Sequence, residues 1–154
     1  MSALITTAPA GEPIVVMRRV FAAPRALVWQ AHTEARHIER WWGPRDYTTR
    51  VLELDLRPGG TWRFENITPD GTVHPFRGTY REVVPPGRLV NTFQYRDYPA
   101  VLVTIELEED GGKTTLTGTS LFPSIAARDG MVASGMERGS RESYERLDEL
   151  LPTF

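Results

Sequence analysis

From residue 47 to residue 122 the chain reads as strand and turn in repetition, and after it comes a single helical pattern. Arg57-Pro58-Gly59-Gly60, Pro69-Asp70-Gly71, Pro85-Pro86-Gly87, Asp97-Tyr98-Pro99 and Asp110-Gly111-Gly112 punctuate this stretch. Proline presets φ and glycine permits positive φ, so each cluster is a turn with a mechanism. The runs between them, 47–56, 60–68, 72–84, 87–96, 100–108 and 113–122, are β-rich, and their spacing predicts an antiparallel meander. Several runs alternate. Trp62 and Phe64 oppose Arg63 and Glu65; Phe76, Gly78 and Tyr80 oppose Arg77, Thr79 and Arg81; Val103 and Ile105 oppose Thr104 and Glu106. Leu89, Asn91, Phe93 and Tyr95 form a further set. Successive strand side chains point to opposite sides, which predicts a sheet with one apolar and one wet face.

Ahead of the meander, Ile14–Phe21 reads as another strand, followed by two short helices. Pro24 suits a first helical turn, and Leu27, Val28 and Ala31 give that helix its apolar side. Thr33 is placed to cap a second helix over 34–42, which Gly43-Pro44 ends. The second helix closes on Trp41-Trp42. Neighbouring helical residues point about 100° apart, so the pair must serve two surfaces. Trp41 is expected to pack between the short helices and the sheet, and Trp42 to form part of a pocket wall near the terminal helix.

That terminal helix is predicted over 124–151, long enough at ~40 Å to cross a whole sheet. Val132, Met136, Gly139, Ser143, Leu147 and Leu150 share its inner face by their spacing of three and four. The order is therefore strand, two helices, six strands, long helix, an α+β arrangement in which only the last element can cover the apolar face. Ala133, Ser134, Gly135, Gly139, Ser140 and Ser143 make part of that helix too slender to fill the hollow of a curved sheet. Its three glycines each cost about 1 kcal/mol relative to alanine. Either the helix breaks near Gly130, or small size is needed where it faces the sheet.

The rest of the chain narrows the function classes. At 154 residues it favours one domain, 13–152, behind a flexible lead over 1–12. No cysteine is present, so disulfides and thiolate metal sites are excluded. Basic residues are dispersed and net charge is −2, which argues against a nucleic-acid partner. No apolar run approaches a membrane span or a signal peptide, so a cytoplasmic location is expected. His32 and His37 are spaced poorly for a helical zinc pair, so no metal is expected. The G-x-S-x-G nucleophile motif and phosphate-binding loops are absent. Glu53, Asp55 and Glu65 read as surface partners of arginines, whereas Glu82 shares parity with Tyr80 and could reach a cavity end. No catalytic set is assigned. Asn66-Ile67-Thr68 matches a glycosylation sequon, and with no secretion signal expected it reads better as a chance match.

The segments VFAAPRALVWQAHT, RWWGP, LDLRPGGTWRF, FRGTYREVVPPGRLVNTF, GGKTTLTGT and GMERGSRESYERLDELL, in this order, resemble the START-like or Bet v 1-like superfamily. Within it they are most similar to single-domain proteins like the C-terminal domain of the activator of Hsp90 ATPase. The resemblance runs from about residue 14 to 151. It implies a helix-grip fold: a seven-stranded antiparallel sheet around the C-terminal helix, with a cavity between them. It also implies a small apolar or aromatic ligand and no cofactor. In the relatives that the resemblance brings in, a bulky residue, frequently tryptophan, often follows the glycine at 139; Ser140 departs from that, implying a larger or more polar cavity.

The residues expected to line that cavity come from three places. The sheet offers Trp62, Phe64, Phe76, Tyr80, Asn91 and Phe93, with Val103 and Ile105. The terminal helix offers Val132, Met136, Ser140 and Ser143, and the tryptophan pair offers Trp42. Two other readings stay open: an enzyme acting on polyketide-like or aromatic substrates in the same cavity, and a chaperone partner of the Hsp90 type. Edge strands able to pair two chains leave a homodimer open as well.

Overall fold

The computed structural model describes residues 3–154. Its strands are β1 (Ile5–Thr7), β2 (Ile14–Phe21), β3 (Thr48–Leu54), β4 (Thr61–Ile67), β5 (Val73–Val84), β6 (Arg88–Tyr95), β7 (Val101–Asp110) and β8 (Lys113–Leu121). Helices α1 (Arg25–Thr33) and α2 (Ala35–Trp41) separate β2 from β3, and α3 (Ile125–Ala133) and α4 (Met136–Leu150) follow β8. All strands join one antiparallel sheet in the order β1-β2-β8-β7-β6-β5-β4-β3. After β2 the two short helices carry the chain to the far edge, and the six-strand meander returns it to β2. This is an α+β helix-grip fold, with one strand more than expected.

The extra strand corrects the reading of residues 1–12 as a flexible lead: Ile5, Thr6 and Thr7 pair with Arg18, Met17 and Val16. Three exposed residues carry no usable alternation, and the pairing is made by backbone alone. Residues 1–2 lie outside the described residues.

The single helix predicted over 124–151 is two helices. The break falls at Ser134-Gly135, not near Gly130. Gly135 stands at φ +88°, a left-handed conformation that a Cβ disfavours, and it becomes the N-cap of α4. Gly130 stays inside α3. Thr33 does not cap α2 either. Its hydroxyl donates back to the Trp29 carbonyl at 2.8 Å, and Glu34 occupies the cap position without a side-chain bond.

Glu82 turns to solvent. The β5–β6 register shifts between Tyr80 and Glu82, so a bulge at Arg81 reverses the parity, and Glu82 meets Arg88 at 3.4 Å on the surface. Arg50–Glu65 at 3.3 Å and Arg63–Glu53 at 3.9 Å are surface pairs of the expected kind.

The buried apolar side chains form two clusters. One joins α1, α2 and the end of α4 to the sheet through Phe21, Ile38, Trp41, Leu116 and Leu147. The other, Val15, Met17, Val101 and Phe122, is packed by Met131 and Met136 from the two terminal helices. A buried ion pair, Arg19–Asp148, fastens α4 to β2. Among the described residues no helix is long and apolar enough to cross a membrane.

Candidate functional site

Both apolar clusters contribute to the lining of one pocket of about 520 Å³ between the sheet and the helices. That volume falls in the ordinary range for small-molecule sites. Its aromatic wall is built by β4, β5 and β6. Strand alternation turns Trp62, Phe64, Phe76 and Phe93 to the same face. Trp62 and Phe64 ring centroids lie 4.7 Å apart, and Phe76 lies 5.4 Å from Phe93 and 5.1 Å from Tyr95. Gly78 pairs with Trp62 across the β4–β5 ladder. A Cβ there would stand 2.5 Å from the indole Nε1 and 1.9 Å from the Thr92 carbonyl, so only glycine admits this close approach.

The tryptophan pair divides its work. Trp42 meets Phe64 and Phe76 edge-on at 5.3 and 5.1 Å and lines the pocket. Trp41 is buried and donates its Nε1–H to the Ala31 carbonyl at 2.8 Å. It stacks on Tyr144 of α4 at 5.9 Å, so it joins the short helices to the terminal helix as much as to the sheet.

Aliphatic and thioether groups make the opposite wall: Val103 and Ile105 from β7, Met17 from β2, and Met131 and Met136 from the helices. Over the floor stand Gly139, Ser140, Ser143 and Tyr144 of α4. Nothing lies within 4 Å of where a Gly139 Cβ would project. Ser143 is committed to the fold: its Oγ accepts the Gly43 N–H and donates to the Gly139 carbonyl, both at 2.9 Å.

Polar groups are few. Tyr80 is buried, and its hydroxyl pKa is pushed up to about 12 by desolvation. Asn91 donates its amide to the Thr92 carbonyl at 2.9 Å. At one end His74 Nδ1 and Tyr95 Oη are 2.8 Å apart, and Tyr95 Oη accepts Arg96 Nε–H at 2.9 Å. His32 is neutral: burial lowers its pKa to about 4, and its Nδ1 donates to the Val28 carbonyl at 2.8 Å. Asn66 is buried with its amide on Thr49 Oγ1 at 2.9 Å, which closes the sequon nitrogen to modification in the folded chain. Among the described residues no group of three or more His, Cys, Asp or Glu side chains converges as a metal site would require.

Of the residues expected to line a cavity, Trp42, Trp62, Phe64, Phe76, Tyr80 and Asn91 do so. So do Phe93, Val103, Ile105, Met136, Ser140 and Ser143. Val132 does not; it is 44% exposed on the outer side of α3. Its assignment assumed one unbroken helical phase, and the break at Gly135 gives the inward position to Met131. Ser120, Tyr144 and Met17 line the pocket without having been singled out. The first two could have been found by extending the β-strand parity of 113–122 and the spacing from Ser140.

A sequence profile described as activator of Hsp90 ATPase homolog 1-like protein matches residues 22–152. No functionally curated protein matches the chain in sequence. Among solved structures, a protein from Rhodobacter sphaeroides is 26% identical with a TM-score of 0.91, the alignment covering 98% of this chain and 99% of that one. Protein Ms6760 from Mycobacterium smegmatis is 23% identical with a TM-score of 0.88, at 96% of both chains. DynU16, a protein in the dynemicin biosynthetic locus, is 22% identical with a TM-score of 0.69, over 92% of this chain and 48% of that one.

Proposed function

The chain belongs to the activator of Hsp90 ATPase homolog 1-like family, and from that premise we propose that it binds a small apolar or aromatic molecule in the pocket between sheet and terminal helices. Members of this family commonly bind hydrophobic ligands. The observation that carries the reading is the pocket itself, about 520 Å³ with a predominantly aromatic and aliphatic lining. Apolar surface of this kind gains free energy when a ligand displaces water from it, at roughly 25 cal/mol per Å². The web of Trp42, Phe64, Phe76 and Phe93 presents ring edges and faces to an aromatic guest.

Native mass spectrometry of freshly purified protein, followed by a thermal-shift panel of apolar ligands, tests this. A co-purifying small molecule or a ligand-dependent rise in Tm is expected. No adduct and no shift across the panel would defeat it. Ser140→Trp should fold normally and lose uptake, because the indole would occupy the space under α4.

A further inference from the structure

The pocket contains a second level of information, carried by its polar groups and by the charges kept out of it. Register places Tyr80 opposite Asn91, Asn91 opposite Val103, and Val103 opposite Ser120. These residues therefore form one row across β5, β6, β7 and β8 on the pocket floor. Asn91 and Ser120 are two strand spacings apart, roughly 10 Å. The neighbouring row, Leu89, Ile105, Gly118 and Met17, is apolar, and on the other side stand Phe93 and Val101. Ser140 of α4 also lines the pocket. Among the described residues, the hydroxyls of Tyr80, Ser120 and Ser140 and the Asn91 Oδ1 take no hydrogen bond from the protein. The polar belt thus runs between an apolar row and the side chains of Phe93 and Val101, and the hydrogen-bonding capacity of these four oxygens is unspent.

Charge is excluded from the same space. One residue in four of the chain is charged, yet the described lining contains no Asp, Glu, Lys or Arg. A buried cation does exist two residues along β2 from Met17, on the same face. This is Arg19, 2% exposed, and Asp148 of α4 closes it off as an ion pair outside the lining. At the end of the pocket Arg96 is exposed, donating its Nε–H to Tyr95 Oη and its Nη2–H to the Val73 carbonyl at 3.1 Å. Arg146 is likewise spent on the carbonyls of Arg40, Gly43 and Pro44. A carboxylate or ammonium entering the pocket would lose its hydration and gain no counter-charge.

We infer that the pocket selects an uncharged ligand that carries oxygen, as hydroxyl or carbonyl, at mid-body, held by Tyr80, Asn91 and Ser120 from the sheet and Ser140 from the helix, with apolar or aromatic ends on either side of that belt. This rests on the binding reading above and adds the ligand's chemistry to it. A hydroxyl can donate to Asn91 Oδ1 and accept from Tyr80, its neighbour in the row, and one placed nearer β8 can accept from Ser120; a carbonyl accepts from any one of the three hydroxyls. An anionic lipid or an organic cation is the ligand the site rejects.

The test uses matched probes on the full chain, by calorimetry. N-phenylnaphthylamine and its sulfonated analogue anilinonaphthalene sulfonate share an aromatic body and differ in charge. The neutral probe should bind at least about ten-fold more tightly. Naphthol should bind about ten-fold more tightly than the methylnaphthalene of the same substitution pattern, since only the former satisfies the belt. That second ratio should fall towards one in Tyr80→Phe or in Ser120→Ala, whichever end of the belt the single hydroxyl reaches, while binding of methylnaphthalene persists. If the sulfonated probe binds as well as the neutral one, charge exclusion is overturned with the binding reading intact. If the naphthol ratio is unchanged in both variants, the belt is overturned. If none of the four molecules binds, the binding reading itself falls.

Discussion

The backbone N–H of Gly43 donates to the hydroxyl of Ser143, a hundred residues further along the chain, at 2.9 Å. The turn after the tryptophan pair and the terminal helix are thus joined by a single oxygen that also serves the Gly139 carbonyl. Ser143→Ala removes both bonds and leaves a buried N–H without an acceptor. The expected loss is about 1–3 kcal/mol in urea unfolding, with the fold retained. An unchanged midpoint would show that the turn does not depend on this contact.

The Arg19–Asp148 pair predicts an asymmetry. Asp148→Asn leaves a guanidinium buried against Phe21 without its counter-charge and should cost about 3 kcal/mol. Replacing both partners, Arg19→Met with Asp148→Leu, should cost much less, because two desolvated charges leave together. Chemical denaturation of the single and double variants checks this. A double variant as unstable as Asp148→Asn would contradict it.

The two glycines of α3 and its end should respond with opposite sign. Gly130 lies within the helix with nothing within 4 Å of a built Cβ, so Gly130→Ala should stabilise by about 0.5–1 kcal/mol. Gly135 has φ +88°, and Gly135→Ala should destabilise by about 1 kcal/mol. Thermal unfolding of the two variants side by side reads the difference. The same sign for both would place the helix break elsewhere.

His32 sets a pH dependence. Desolvation lowers its pKa from 6.5 to about 4, against a smaller upward pull from the bond to Val28. Between those values the unfolded chain holds a proton that the folded chain refuses. The neutral imidazole's contribution is complete above pH 6.5, declines as pH falls below it, and levels off near pH 4, for a total of about 3 kcal/mol. His37, lowered chiefly by burial and by Arg36, acts in the same direction. Stability measured from pH 4 to 8 should fall less steeply in His32→Leu than in the parent. Equal slopes would assign the effect to other groups.

Much of this architecture can be read in the residues. The six β-rich runs correspond to β3 through β8 because turn chemistry and alternation act over short range, and each strand carries its own parity. The lining from Trp62 to Ile105 follows from that parity. What escaped depends on longer-range geometry. Glu82 has the parity of Tyr80, and only the pairing with β6 reveals the extra residue between them. Val132 fits the periodicity of Met136, and only the backbone at Gly135 shows that the phase is interrupted. Gly130, Gly135 and Gly139 are equivalent by composition; one of the three has the left-handed conformation. Ser140, by contrast, is marked by its small size and by the departure from its relatives, and it lies on the unbroken side of the interruption.

The interruption at Gly135 has a mechanical meaning. The segment beyond it is bolted down by Arg19–Asp148, by Ser143 on Gly43, by Arg146 on three carbonyls and by Leu147 and Leu150 in the core. The segment before it is moored by the Arg128 guanidinium on the carbonyls of Pro9 and Ile14, with most of its other residues facing water. Fluctuations therefore concentrate in the shorter piece, and its amides should exchange with deuterium well before those of the longer one.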